Sequence, residues 1–388
     1  MKTRLWKLDK KKNSEADFKA LKEAAKLICQ GELVAFPTET VYGLGANGLS
    51  DAAAKKIYAA KGRPADNPLI LHIAKKEDIL ALTSDLNANA KILMDKFWPG
   101  PLTLVLKKSG IIPETVSAGL DTVAVRMPLT KMARTFIELA KTPIAAPSAN
   151  KSGRPSPTNA KDVLDDMDGL IAGIIDGGSS NIGVESTIVD TTGPVPMILR
   201  PGGITKQMLE EVLGEVKLDP ALLLNPQNDE NFKPKAPGMK YRHYAPKAKM
   251  TLFEGKDALG NLLKNLLKED FSKQKIGLLI SKNEAKTLAL KLKEWQEKNE
   301  KNEQNEQNEK KENNEQNENS LSEKDLNKLL IYSWDNDKEE LAESLYTYLR
   351  MFDHEKVEVI FATGVSEEGL GLAIMNRMRK SASYNIVK

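Results

Sequence analysis

Short apolar runs, most of them ended by a polar residue or by Pro, constrain this chain more than any other feature. Leu33 to Phe36, Leu69 to Ile73, Leu102 to Leu106, Thr122 to Arg126, Ile144 to Ala146, Leu170 to Ile175, Glu185 to Asp190 and Ile198 to Arg200 are too short for helices. They read as strands with buried faces. Stretches of helical periodicity separate them. One begins at Ser14, with Asp17 completing a capping box, keeps Phe18, Leu21, Ala25 and Ile28 on one apolar face, and ends at Gly31. Others are Ser50 to Ala60, with Ser50 as N-cap, Asn87 to Phe97, Lys131 to Ala140, and Thr205 to Leu213. Strands alternating with helices predict an α/β domain over residues 1–213.

Periodicity is then lost over 214–249, which reads as a linker. It nevertheless carries Pro237-Gly238-Met239-Lys240-Tyr241-Arg242-His243-Tyr244-Ala245-Pro246, with more rings and cations than a passive tether needs. Such a segment suits folding over a nucleotide, with a ring stacked on the base. A second α/β unit is expected over 250–388. Met250 to Phe253, Ile276 to Ile280, Leu329 to Tyr332 and Val357 to Phe361 read as four short parallel strands, with Lys338 to Met351 as the clearest helix. That pattern suggests a small Rossmann-like domain. From about Glu297 to Asn319 the chain is Lys, Asn, Glu and Gln with almost nothing apolar, so disorder is expected there.

The 388 residues suffice for two ordinary domains, and a net charge of +3 gives no bulk argument for nucleic-acid binding. The single cysteine, Cys29, rules out an internal disulfide framework or a Cys-based zinc site. On an apolar-periodic helix it is expected to be a buried structural thiol. No run approaches the roughly 20 apolar residues that span a bilayer. The N-terminus MKTRLWKLDKKKN lacks the apolar core of a signal peptide. A cytoplasmic location and no membrane partner are expected.

The polar residues that end the strands carry the chemistry. Lys61 and Arg63 flank Gly62 at a helix end, where they either complement the helix dipole or meet an anionic ligand such as a polyphosphate. Arg126 ends a strand as either half of an internal ion pair or a fork for a carboxylate. Arg200 repeats that arrangement before Pro201. Pro147-Ser148-Ala149-Asn150-Lys151-Ser152-Gly153-Arg154-Pro155-Ser156-Pro157 is an ordinary loop or a phosphate wrap. Gly43-Leu44-Gly45-Ala46-Asn47-Gly48 formally matches G-x-G-x-x-G, but Pro37 to Tyr42 separate it from the preceding strand, so no dinucleotide site is expected. There is no P-loop and no G-x-S-x-G elbow, and His72, His243 and His354 lack metal-ligand spacing. No protein-held metal is expected. The inventory suits the positioning of charged substrates more than covalent catalysis.

PTETVYGLG followed by KGRPADNPL, then the loop around Ser148, KYRHYAP and GLGLAIMNRMRKSAS, closely resembles the threonylcarbamoyl-AMP synthase family in its long two-domain form. The resemblance implies a YrdC-like twisted mixed open sheet with flanking helices, plus a smaller Rossmann-like α/β C-terminal domain. It implies synthesis of threonylcarbamoyl-AMP, pyrophosphate and water from L-threonine, bicarbonate and ATP, with Mg²⁺ on the phosphates. The product would serve threonylcarbamoyl-adenosine modification of tRNA, with tRNA or the downstream transferase machinery as possible partners. Carried over by position, Thr40, His72, Arg126, Ala146 and Ser186 would hold threonine, with Arg126 on its carboxylate. Lys61, Arg63, Asn67, Thr122, Ser148, Asn150, Ser156, Arg200 and Tyr244 would hold ATP, with Lys61 and Arg63 also named as catalytic.

Three other readings compete. One is a non-catalytic module binding double-stranded RNA or tRNA. Another is carbamoyl transfer as in hydrogenase maturation, whose Cys-rich zinc modules a single cysteine excludes. The last confines the C-terminal unit to a structural or gating role on the linker.

Overall fold

The computed structural model describes residues 2–9, 14–222, 234–239, 243–271, 274–309, 329–335 and 337–388. A mixed sheet organises the first half. Its strands lie in the order Arg4–Lys7, Gly173–Asp176, Val34–Phe36, Gly43–Asn47, Ile144–Ala145, Ile70–His72, Thr122–Arg126, Leu102–Lys108, Thr187–Asp190, Met197–Arg200 and Lys217–Leu218. Thr83–Asp85 pairs with Leu102–Lys108 off this path. Helices Glu15–Cys29 and Lys131–Ala140 cover one face, packing Leu21, Ala24, Ala25 and Ile28 with Phe136 and Ile137 over Val34 and Phe36. Asp51–Lys61, Ala88–Phe97, Ala160–Met167 and Lys206–Leu213 bury their apolar sides in a larger core that shares Leu44, Leu71, Leu104 and Val125.

The second half builds a parallel sheet ordered Leu329–Trp334, Ile276–Ser281, Val359–Thr363, Lys249–Phe253, Ile386–Val387. The short last strand was not expected; two residues give too little pattern to read. Helices Lys338–His354 and Gly371–Ser381 face the first half. There Tyr346, Leu349, Met375 and Met378 share a core with Val41 and Val184. Gly183 makes this approach possible: its φ is +75°, and a Cβ there would lie 2.2 Å from the Ala342 carbonyl oxygen. Arg350, buried, donates to Asp166 Oδ2 at 2.9 Å and to the Pro155 carbonyl at 2.6 Å. The two halves are therefore joined by a continuous core and by buried charge.

The expected caps form: Ser14 with Asp17 as a capping box, and Ser50 and Thr205 on their helices; Asn87, read only as the start of its helix, is a fourth N-cap. Other expectations need correction. Phe18 is 51% exposed: it keeps the phase of Ala25 but lies in the first turn, and burial along the helix begins only at Leu21. Cys29 falls one residue, about 100°, off that stripe and is exposed, with Sγ donating to the Ala140 carbonyl at 3.3 Å. It is not a buried thiol. The strand expected from Leu170 begins at Gly173, and Leu170 is exposed. Glu185 and Ser186 precede their strand, which begins at Thr187. The Asn/Glu-rich run, expected to be disordered, is helical as far as Glu309, since helix Lys282–Glu309 continues into it. Lys, Glu and Gln are good helix formers, and that local preference carries the helix onward without an apolar face. Residues 310–319, and Lys240, Tyr241 and Arg242 of the linker motif, lie outside the described residues.

Candidate active site

One transverse row of the mixed sheet gathers side chains that are far apart in sequence. The register pairs Ile144 with His72, His72 with Arg126, Arg126 with Thr103, Thr103 with Ile188, and Ile188 with Arg200. Register partners on neighbouring strands, about 4.8 Å apart, point to the same face. His72, Arg126 and Arg200 therefore line a single cavity.

At one end of the cavity Arg126 is buried beside Glu39. Its Nη2 donates to Glu39 Oε1 at 2.5 Å, Nη1 to Thr40 Oγ1 at 2.8 Å, and Nε to the Gly100 carbonyl at 3.3 Å. Glu39 Oε2 also accepts from the Leu129 amide at 3.0 Å. So Arg126 is an internal ion pair, yet a guanidinium has five N–H groups and three are used here. Two remain for a ligand carboxylate, in an orientation that Glu39 and Thr40 fix. His72 sits edge-on to Phe36, with ring centroids 5.8 Å apart, and its Nδ1 lies 3.2 Å from the Ile70 carbonyl. Burial, and then the Arg126 charge, lower its pKa to about 3, so the ring is neutral.

Toward the other end, Arg200 donates to Ser186 twice: Nε to its carbonyl at 3.0 Å and Nη2 to its Oγ at 3.1 Å. Ser186 Oγ also lies 2.7 Å from Thr103 Oγ1. Gly202 must be glycine, since a Cβ would lie 2.4 Å from the Glu185 carbonyl oxygen and the Thr187 amide nitrogen. Glu185 is buried and accepts from three side chains: Ser156 Oγ at 2.5 Å, Tyr346 OH at 2.9 Å and Arg377 Nε at 3.0 Å. Burial pushes its pKa upward, but Arg377, Arg200 and its hydrogen bonds, the Ser156 one among them, together hold it below the ordinary value. Pro237, Gly238, His243 and Tyr244 of the linker close over the cavity. Tyr244 stacks on Tyr346 at 5.3 Å. The accessible volume within it is about 60 Å³, room for a few waters.

The cavity thus brings together Thr40, Arg63, His72, Arg126, Ala146, Ser148, Ser186, Arg200 and Tyr244. Arg63 donates to the Asn67 and Pro68 carbonyls, which aims its fork from the loop after helix Asp51–Lys61. Four of the remaining expected residues adjoin the lining. Lys61 is buried behind the Ser148 loop, donating to the Ser148 carbonyl at 2.5 Å and to the Asn150 carbonyl. Burial, then Arg63, lowers its pKa well below the usual lysine value. Asn150 Oδ1 accepts from Ser148 Oγ, and Ser156 acts through Glu185. Asn67 is buried, and neither its Oδ1 nor its Nδ2 has a partner among the described residues. Such a pair of orphaned polar atoms calls for a ligand or ordered water. Thr122 stands apart. It begins the strand that Arg126 ends, four residues or about 13 Å away, and does not line the cavity.

Sequence reasoning gave no role to Glu39, Thr103, Glu185, Tyr346 or Arg377. Glu39 and Arg377 did lie inside the motifs PTET and NRMRK, which was the available signal. Glu185, which lines the cavity, and Glu39, which lies behind Arg126 and Thr40, are both committed to arginines. Among the described residues, the cluster of potential metal ligands is Asp162, Asp165 and His354, outside this lining.

Comparisons with known proteins agree on both halves. A family model described as "Telomere recombination" matches residues 26–202, and one described as "Threonylcarbamoyl-AMP synthase, C-terminal domain" matches 204–383. Threonylcarbamoyl-AMP synthase of Pyrococcus abyssi is 45% identical over 365 residues, 94% of each chain. The Bacillus subtilis protein of the same name is 40% identical over 398 residues, covering 100% of each. A crystal structure of Pyrococcus abyssi Sua5 complexed with L-threonine superposes with a TM-score of 0.82 at 41% identity, over 100% of this chain and 99% of that one.

Proposed function

The chain belongs to the threonylcarbamoyl-AMP synthase family, and we propose how its cavity carries out that synthesis. The enzyme is a nucleotidyltransferase that forms threonylcarbamoyl-AMP from threonine and ATP, a reaction of tRNA modification. In our reading Arg126 takes the threonine carboxylate with its two remaining N–H groups, and Thr40, His72, Ala146 and Ser186 surround the rest of the amino acid. A neutral His72 accepts or donates one hydrogen bond without adding charge beside Arg126. Arg63, Ser148 and Arg200 face the nucleotide. Lys61, Asn150 and Ser156 support that surface from behind, and Tyr244 closes over it. The Asn67 side-chain amide, unpartnered among the described residues, is left for the nucleotide or an ordered water. Thr122 is retained only as a ligand reached by an extended nucleotide.

The threonine amine gains a carboxylate from bicarbonate, with loss of water. One oxygen of the resulting carbamate attacks the α-phosphorus of ATP, and pyrophosphate leaves. Protein groups align the two anions and neutralise charge as it shifts to the leaving group. With Glu39 and Glu185 already paired, Mg²⁺ would arrive on the triphosphate as MgATP, not on a protein carboxylate. The linker must lift for ATP to enter.

The observation that carries this reading is the register row that sets His72, Arg126 and Arg200 on one face. The test is exchange of labelled pyrophosphate into ATP by the full chain. Exchange that requires both threonine and bicarbonate, and that is lost in Arg63→Ala and Arg126→Ala, is expected. A module that only binds RNA would show no exchange.

A further inference from the structure

Helix Gly371–Ser381 of the second unit sends one guanidinium to the cavity wall of the first. Arg377 is fully buried. Its Nε donates to Glu185 Oε2 at 3.0 Å and its Nη1 to the Pro201 carbonyl at 2.8 Å, next to Arg200. The guanidinium carbon lies 5.5 Å from the centre of the Tyr244 ring. Tyr346, on helix Lys338–His354, donates to the same Glu185 oxygen at 2.9 Å and stacks on the same Tyr244 ring. Two residues of the second unit therefore converge on two lining residues of the cavity. No comparable side chain reaches the Arg126 end among the described residues.

We propose that Arg377 is a positioning residue for ATP: it neutralises Glu185 and orients it, so that the nucleotide end of the cavity is complete only when the second unit is docked. This rests on the reading of the cavity as a threonylcarbamoyl-AMP synthase site. Without Arg377, Glu185 is a buried carboxylate that has lost its ion-paired arginine and keeps only the neighbouring Arg200 charge, placed where a triphosphate must approach. Like charges repel strongly in such a poorly screened setting. Glu185 also holds Ser156 Oγ at 2.5 Å, so a carboxylate that turns away drags that hydroxyl with it. Tyr346 supplies the second donor to Glu185 and backs Tyr244. Threonine, held by Arg126, touches this end only through Ser186 and is expected to feel either change less.

The experiment measures steady-state KM for ATP and for threonine in the full chain. Arg377→Met is expected to raise the ATP KM by about tenfold or more, with the threonine KM moving less than about threefold. Arg377→Met combined with Glu185→Gln removes the stranded charge and is expected to recover most of that loss. A helix that merely held the units together would show no such recovery. Arg379→Ala is the control, because Arg379 pairs with Glu254 and Glu367 away from the cavity; its ATP KM is expected to match the wild type. Should Arg377→Met fail to fold, Tyr346→Phe carries the test. It keeps the stacked ring, loses one hydrogen bond to Glu185, and is expected to raise the ATP KM by about threefold. An unchanged ATP KM in the folded variant, equal rises for both substrates, or a double variant no better than the single would overturn the proposal. A wild-type chain that makes no threonylcarbamoyl-AMP would instead sink the reading of the site itself.

Discussion

Arg126 and Arg377 are both buried guanidiniums paired with a carboxylate at the cavity wall, yet they are placed by different means. Arg126, Glu39 and Thr40 all belong to the first half, and sheet register sets Arg126 beside His72. Glu185 and Arg377 are 192 residues apart and meet only because two units share a core. One end of the cavity is therefore organised as soon as the mixed sheet forms. The other depends on a docking step and on the linker between the units. The two halves of the site should respond differently to the same kind of damage.

The largest contrast is expected from Arg126→Met. It removes the two N–H groups assigned to the threonine carboxylate and leaves Glu39 buried without its partner. A fall of about a hundredfold or more in kcat/KM for threonine is expected, with the ATP KM little changed. A rise in ATP KM as large as the threonine effect would erase the division between the ends. Glu39→Gln is milder, since it keeps an acceptor for Arg126 but removes the counter-charge. Its threonine KM is expected to rise by about tenfold, with up to about 3 kcal/mol lost in urea unfolding. A variant with unaltered threonine KM would show that Glu39 is not needed to aim the fork.

The same division explains what was legible in the sequence. Strands that end in Arg126 and Arg200 announced themselves, because a charge at the end of an apolar run is costly to bury without a purpose; His72, inside its apolar run, came from the resemblance. Capping residues located three helices, since a hydroxyl that accepts a first-turn N–H is a local rule. Glu185 and Arg377 were opaque because their meaning is a tertiary pairing. No periodicity or spacing links two positions that a docking interface brings together. Cys29 failed for a smaller reason: on a helix one residue turns the side chain by about 100°, enough to leave the buried stripe; Phe18 keeps the phase of that stripe but precedes the point where burial begins. Asn67 was carried over by resemblance, and only the structure showed both its amide atoms buried without partners among the described residues.

Acid should report on the Arg126 end. His72 is held near pKa 3 by burial and by Arg126, against 6.5 when free. Below pH 6.5 the unfolded chain takes up a proton that the folded one refuses, so stability is lost as pH falls toward 3. Between pH 7 and pH 5 this amounts to about 2 kcal/mol from one imidazole. The difference in urea stability between those two pH values is expected to be smaller by that amount in His72→Gln. An identical difference in wild type and variant would mean that the ring protonates in place.

Alkali should report on the other end, with a smaller effect. Lys380 is buried beside the linker, donating to the Gly238 carbonyl at 2.5 Å. Burial, then Arg377 and Arg200, lower its pKa from 10.5 to about 7. Between those values the unfolded chain keeps a proton that the folded chain has released, so stability rises with pH across that window. The rise between pH 7 and pH 8 is about 1 kcal/mol. A neutral amine still donates to Gly238, so the linker contact survives the titration and only the cost of the buried charge is relieved. Lys380→Met is expected to lack that rise while keeping the acid response of His72. If it removed the acid response as well, the two ends would be titrating as one network, and the separation drawn between Arg126 and Arg377 would fail.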